Sequence, residues 1–135
     1  MKKDQYPIEI TVDGQKIHAQ VEARTLLVDF LRDNAAETSV KIGCEEGACG
    51  ACTVNLDGKT TKSCLQLAIN CDGKEIRTVS SLRSKGKLGL LQQAFIDSHA
   101  LQCGFCTSGM LMSAEAFLQK NADSDFNEND IKEAL

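Results

Sequence analysis

Cys44-Glu-Glu-Gly-Ala-Cys49-Gly-Ala-Cys52 is the stretch that decides the fold of this 135-residue chain. Together with Cys64, it gives the cysteine spacing C-x4-C-x2-C-x11-C. This spacing is typical of plant-type [2Fe–2S] sites, in which four thiolates hold two iron ions. A zinc site is the alternative, but tetrahedral zinc usually takes paired C-x2-C knuckles rather than a C-x4-C-x2-C loop. The stretch therefore predicts an iron–sulfur cluster, which carries one electron at a time.

Glycines lie among these cysteines, at Gly43, Gly47 and Gly50. An oxidised cluster held by four thiolates is an anion, and a buried anion needs hydrogen-bond donors. Glycine allows a tightly curled backbone and leaves room for N–H groups to approach the sulfur atoms. We therefore expect the backbone around these glycines to surround the cluster and to help set its reduction potential.

The composition excludes several classes of protein. The net charge is −4 and there is no basic tract, so nucleic acid is not an expected partner. No apolar run approaches the ~20 residues that a membrane-spanning helix needs, and the N-terminal residues show no secretory signal. We therefore expect a cytoplasmic protein, in which the presence of seven cysteines indicates metal binding rather than disulfide formation.

On the N-terminal side of the cysteine loop, the pattern predicts a β-hairpin followed by a helix. Apolar and polar residues alternate over residues 8–12 and 17–21, on either side of the turn pair Asp13-Gly14. Apolar residues then recur at helical spacing, which predicts a helix over residues 26–34 with Thr25 as its N-cap.

A second hairpin is predicted around Asp57-Gly58. When the two residues that flank this turn pair with each other, the register places Cys52 opposite Ser63 and therefore beside Cys64. One tight hairpin thus explains how the distant fourth cysteine returns to the other three. A last strand is predicted over residues 76–79.

The second part of the chain has a helical pattern. Residues 80–87 are a predicted linker, and helices are predicted from Leu90 to about His99 and after Cys106. Asn127, with Asp130 three residues later, is a predicted cap of a third helix.

Gln102-Cys103-Gly-Phe-Cys106 precedes the second of these helices. A C-x2-C pair alone is a weak signal, because redox disulfides, half zinc sites and half iron–sulfur sites all use it. No predicted strand leads into the pair, which argues against a thioredoxin-like motif. Its place at a helix N-terminus favours an anionic cluster, because free N–H groups and the positive end of the helix dipole lie there. Cys71 has no partner at ligand spacing and is expected to be a buried structural residue.

Four segments, TLLVDFLRD, VKIGCEEGACGACTV, SCLQLA and ALQCGFCTSGMLMSA, closely resemble the small iron–sulfur subunit of the molybdenum hydroxylases, the xanthine dehydrogenase and carbon monoxide dehydrogenase type. The resemblance implies an α+β protein. A β-grasp, plant-type ferredoxin domain over residues 1–80 would precede a helical-bundle [2Fe–2S] domain over residues 81–135. It also implies two sets of ligands: Cys44, Cys49, Cys52 and Cys64 for the first cluster, and Cys103 and Cys106 for half of the second.

The resemblance further implies a direction of electron flow within a heteromeric enzyme. Electrons would leave a molybdopterin centre on a large subunit, pass the bundle cluster and then the ferredoxin-like cluster, and reach FAD on a medium subunit. Gln102 matches a family position that contacts the pterin. The organic substrate would bind on another chain, so this sequence does not identify it.

The family completes its second cluster with a Cys-x-Cys pair that this sequence lacks. The helical pattern of residues 131–135 ends without a C-cap, so we expect the helical domain to be incomplete at Leu135. A gene lesion or a ligand from a partner protein are the alternatives. Another hypothesis is a free-standing, ferredoxin-like carrier or binding module with a single working cluster.

Overall fold

The computed structural model describes residues 4–135 and has a mixed α+β fold, which confirms the predicted class. The strands are β1 (Gln5–Val12), β2 (Gln15–Glu22), β3 (Thr53–Leu56), β4 (Lys59–Lys62) and β5 (Glu75–Arg77). The α-helices are α1 (Leu27–Asp29), α2 (Leu90–Asp97), α3 (Thr107–Lys120) and α4 (Glu128–Ala134). A π-helical segment continues α1 over Phe30–Asn34, and short 3-10 turns occupy Ser63–Leu65, Ala68–Cys71 and Val79–Leu82.

The five strands form one sheet in the order β2-β1-β5-β3-β4. β1 is antiparallel to β2 and parallel to β5, and β3 is antiparallel to both β4 and β5. Both predicted hairpins are confirmed. Each turns at its Asp-Gly pair with positive φ at both residues, +48° and +84° in Asp13-Gly14 and +48° and +86° in Asp57-Gly58. These angles belong to the two-residue turns whose twist matches that of the flanking strands.

The predicted helix over residues 26–34 is present, but its N-cap was predicted wrongly. The cap position is Leu26 rather than Thr25, and no side chain caps the helix. Instead, the Leu27 N–H donates to the carbonyl of Gln66 (2.8 Å), and the Ala68 N–H donates to the carbonyl of Thr25 (2.8 Å). The Gln66 carbonyl thus satisfies one of the free N–H groups at the helix start, and the second hydrogen bond ties Thr25 to the same segment.

The hydrophobic core lies between the sheet and the segment that starts with α1. Ile10 and Ile76 from the sheet and Leu27, Phe30 and Leu31 from the helical segment have no exposed surface. Burial of each such side chain stabilises the fold by about 1.5–3 kcal/mol.

The last predicted strand ends earlier than expected, at Arg77. The reason is Asp13, whose carboxylate accepts hydrogen bonds from the N–H (2.7 Å) and the hydroxyl (2.6 Å) of Thr78. The Thr78 hydroxyl oxygen in turn accepts from the N–H of Ser80 (3.2 Å) and caps a 3-10 turn. The predicted linker therefore begins with a helical turn.

The helices of the second part form where they were predicted. Leu111 and Met112 of α3 are buried, and α3 lies against β3 and β4. The α4 cap is also confirmed: the Asn127 side chain accepts from the N–H of Asn129 (2.8 Å) and Asp130 (3.3 Å), while Asp130 accepts from the Asn127 N–H (2.8 Å). This reciprocal arrangement is a capping box.

Candidate metal centre

The cysteine loop, residues 43–52, is irregular and is held at both ends. A few residues before its start, the Arg32 guanidinium donates to the carbonyl oxygens of Thr38 (3.1 Å) and Val40 (2.8 Å). At its end, the carbonyl of Gly50 accepts from the N–H (3.0 Å) and the hydroxyl (2.6 Å) of Thr53. The loop therefore has a defined shape although it contains no helix or strand.

The second hairpin brings Cys64 to the loop in the predicted register. Thr53 pairs with Lys62 at the end of the β3–β4 ladder, so the next residues, Cys52 and Ser63, lie opposite each other. The N–H of Ser63 (3.2 Å) and its hydroxyl (2.7 Å) both donate to the Cys52 carbonyl. Because Ser63 is fully buried, these hydrogen bonds are shielded from water, and Cys64 is fixed beside Cys52.

Cys44 and Cys49 form one pair of neighbouring thiols. The Cys49 N–H donates to the Cys44 sulfur at 3.3 Å. This donor, followed by the N–H of Glu46, lowers the pKa of Cys44 to about 7. The Cys49 thiol and the Ala48 N–H contribute further hydrogen bonds to the same sulfur. Negative charge on the Cys44 sulfur is therefore stabilised by the loop backbone.

Cys52 and Cys64 form the second pair and are both buried. Burial, and then the hydrogen bond with the Cys52 thiol, raise the pKa of Cys64 to about 11. The N–H of Gly47 lowers this pKa by hydrogen-bonding to the Cys64 sulfur. The negative charge of Cys44 raises it. Iron binding deprotonates a coordinating thiol outright, so a metal can overcome the effect of burial.

This arrangement of thiols fits a two-iron cluster better than a single ion. Within residues 4–135, no group of three His, Cys, Asp or Glu side chains is placed to hold one metal ion. Hydrogen bonds instead connect the cysteines in two pairs, Cys44 with Cys49 and Cys52 with Cys64. A [2Fe–2S] cluster has four thiolates shared between two irons, so the donor set matches it in number and in pairing.

Each of the three predicted glycines is favoured by space or by backbone shape, and Gly50 has a left-handed φ of +73°. A Cβ at Gly43 would lie 2.7 Å from the Cys49 sulfur, and one at Gly47, where φ is +80°, would lie 2.4 Å from Leu65. The N–H of Gly47 hydrogen-bonds to the Cys64 sulfur and lowers the pKa of that thiol. The donors to Cys44 were missed, because any residue can supply an N–H and no sequence signal distinguishes them.

The second cysteine motif lies at the surface. Gln102, Cys103 and Cys106 are exposed, and Cys106 occupies the N-cap position of α3, as predicted. Ser108 lies two residues further, and its hydroxyl is buried without a hydrogen-bond partner among the described residues. A buried donor without an acceptor is costly. An anionic cluster at this helix start fits such a donor.

The remaining candidates have structural surroundings. Cys71 is 1% exposed and belongs to the hydrophobic core, where burial raises the pKa of its thiol. His18 lies opposite Glu9 on the neighbouring strand, with 3.3 Å between ring nitrogen and carboxylate oxygen.

No helix between residues 4 and 135 has the length and hydropathy needed to span a bilayer.

Comparison with known proteins is in agreement with this geometry. Residues 10–79 match the model of a 2Fe-2S iron-sulfur cluster binding domain, and residues 78–135 match that of a [2Fe-2S] binding domain. The protein therefore has the two [2Fe–2S]-binding domains of an electron-transfer protein. More particularly, the chain belongs to the small iron–sulfur subunits of the molybdenum hydroxylases of the xanthine dehydrogenase family.

Individual relatives are similar over most of their length. The chain is 49% identical over 129 residues to caffeine dehydrogenase subunit gamma of Pseudomonas sp. (strain CBB1), covering 95% of this chain and 77% of that one. It is 50% identical over 118 residues to the nicotine 6-hydroxylase small subunit of Paenarthrobacter nicotinovorans, covering 87% and 71%. The crystal structure of quinoline 2-oxidoreductase from Pseudomonas putida 86 matches with a TM-score of 0.92 and 41% identity, covering 97% of this chain and 80% of that one.

Proposed function

We propose that this subunit passes electrons from a molybdopterin centre on a large subunit to FAD on a medium subunit. Family membership gives the electron-transfer role. One observation carries the proposal for this chain: the hairpin and the loop bring four thiols together, with backbone N–H groups directed at Cys44 and Cys64. Such donors stabilise a negatively charged cluster and tune its potential.

We assign the ligands of the first cluster to the two thiol pairs, Cys44, Cys49, Cys52 and Cys64. Cys103 and Cys106 are two ligands of the second cluster, and Gln102 beside them is a contact to the pterin. The exposure of this second motif supports the assignment, because a group that receives electrons from a partner subunit must lie near the surface.

The architecture that we propose has two domains. A β-grasp ferredoxin domain spans residues 1–80, supported by the mixed sheet with the α1 segment packed on it. A helical domain spans residues 81–135, supported by three helices in sequence. In this arrangement Cys103 and Cys106 would hold a cluster on the side of the molybdopterin subunit, and the loop cysteines would hold the cluster from which electrons would pass to the flavin.

The organic substrate is bound by a partner in this proposal. Two relatives with nearly equal identity, 49% and 50%, are named for different substrates, caffeine and nicotine. A small subunit that shares so much sequence with both does not determine which substrate is used. The protein holds and spaces the redox centres, whereas the cofactors carry out the redox chemistry.

Metal analysis and EPR spectroscopy of the purified complex test the proposal. For a small subunit in which the ligand sets of both clusters are complete, we expect four irons and, after reduction, two distinct [2Fe–2S] spectra. Cys49→Ser removes a ligand of the first cluster, so that spectrum disappears while the other remains. Cys71→Ala is the matched control, because it removes a core cysteine and leaves both spectra unchanged.

A wild-type chain that purifies as a monomer, with two irons and a single spectrum, would instead identify a free-standing carrier. Retention of both spectra in Cys49→Ser would show that the ligand assignment is wrong.

A further inference from the structure

Helix α3 lies directly on the cysteine loop at one point, where Gly109 meets Gly50. A Cβ at Gly109 would lie 2.0 Å from the Gly50 carbonyl oxygen, 2.9 Å from its carbonyl carbon and 3.0 Å from the Ala51 Cα. All three are backbone atoms, so no side-chain rotation could make room. Only glycine allows this contact without moving the helix or the loop.

The loop side of this contact is fixed. The Gly50 carbonyl accepts two hydrogen bonds from Thr53, which is only 3% exposed. The Lys62 ammonium donates to the same Thr53 hydroxyl at 2.9 Å and so holds it in place. Gly50 also lies between Cys49 and Cys52, so a displaced carbonyl would displace cluster ligands.

The helix side is fixed as well. Gly109 lies in the first turn of α3, and the Met110 N–H donates to the carbonyl of the N-cap residue Cys106 (3.1 Å). Further along, Met112 is buried, and Glu115 forms an ion pair with Arg77 of β5 (2.9 Å). A short rigid path of backbone therefore connects a ligand of one cluster with the ligand loop of the other.

We propose that Gly109 is a positioning residue that sets the separation of the two clusters by letting α3 rest on the Gly50 carbonyl. This inference rests on the proposed function, because it uses the assignment of Cys106 to the second cluster. The separation of redox centres governs the rate of electron transfer between them. Gly109 therefore acts on the relay without touching either cluster.

Gly109→Ala in the intact complex tests the inference. Real Cβ contacts are essentially never shorter than 3.0 Å, so α3 and the loop must move apart by at least about 1 Å. The readout is the magnetic splitting between the two reduced clusters in EPR, which falls with the inverse cube of their separation. We expect a smaller splitting and slower electron transfer between the clusters.

Ala116→Ser is the matched control. It also adds one heavy atom to α3, but Ala116 borders an open groove, so the splitting stays at the wild-type value. A wild-type splitting in Gly109→Ala would overturn the inference. If both clusters are present in the wild type, that result leaves the proposed function intact, whereas a wild type with a single cluster would refute the proposed function itself.

Thr53→Val is a second variant for the case in which Gly109→Ala fails to assemble. It removes one of the two hydrogen bonds that hold the Gly50 carbonyl, the one from the Thr53 hydroxyl, and leaves α3 unchanged. We expect the splitting to spread over a wider range, because the loop side of the contact is loosened. An unchanged, equally sharp splitting in this variant would overturn the inference.

Discussion

At the scale of single residues, the cysteines differ in what surrounds their sulfur atoms. Cys44 is only partly buried and receives backbone N–H donors, whereas Cys64 is buried beside another thiol. The same residue type therefore has a pKa of about 7 in one position and about 11 in the other. The thiolate is the reactive form of cysteine. These surroundings therefore determine which of the two thiols, Cys44 or Cys64, reacts first when no metal is bound.

We expect alkylation of the metal-free chain to follow this order. Above pH 7 Cys44 is mostly thiolate and is alkylated. The rate of this alkylation falls as the pH drops through 7. Cys64 stays protonated until about pH 11 and remains unmodified at pH 8. Labelling with iodoacetamide over a range of pH, followed by peptide mass spectrometry, measures both rates.

Buried Cys71, whose pKa is also raised, serves as the internal control and stays unmodified at pH 8. In denaturant, we expect Cys44, Cys64 and Cys71 to be alkylated at the same rate. Equal rates for Cys44 and Cys64 in the folded chain would contradict the described surroundings.

At the scale of elements, the sequence predicted the features that depend on interactions between residues close together in the chain. The turn pair Asp57-Gly58 was sufficient to predict the hairpin and the position of Cys64, because this turn has only one favoured register. The prediction of Thr25 as N-cap was wrong, because the acceptor at the helix start is the carbonyl of Gln66, about 40 residues along the chain. The donors to the Cys44 sulfur were missed for a related reason, since they depend on loop shape rather than residue type.

The two hairpin turns allow a matched test of what the second hairpin does. Gly14 and Gly58 have nearly equal φ, +84° and +86°, and a Cβ added at either residue would meet no atom within 4 Å. Alanine at either site is strained by its backbone alone, so we expect each substitution to lower the free energy of unfolding by about 1 kcal/mol. Urea denaturation of the metal-free chain measures this effect.

The two variants are expected to differ in cluster retention. Only Gly58→Ala disturbs the hairpin that carries Cys64, so only this variant releases iron faster to a chelator. Equal release rates in Gly14→Ala and Gly58→Ala would mean that the hairpin does not position the ligand.

At the scale of the whole molecule, α3 joins the sheet to the helical part. Beside its contact with the cysteine loop, α3 forms the ion pair between Glu115 and Arg77 of β5 (2.9 Å), with side chains that are 17% and 34% exposed. The sequence predicted both elements but not this pair. Periodicity defines the apolar face of a helix, whereas the partner of a charge at its edge depends on how the two elements pack.

Glu115→Gln tests whether this pair stabilises the packing of α3 on the sheet. The substitution keeps the shape and one acceptor oxygen but removes the charge. Since the pair is mostly shielded from water, we expect a loss of up to about 1 kcal/mol at low salt, and less at high salt, where partly exposed charges are screened. Lys132→Gln is the control, because it breaks the exposed pair with Glu128 (3.0 Å), for which we expect at most about 0.5 kcal/mol. Urea denaturation at two salt concentrations measures both, and equal effects would show that the Glu115 pair contributes no more than an ordinary surface pair.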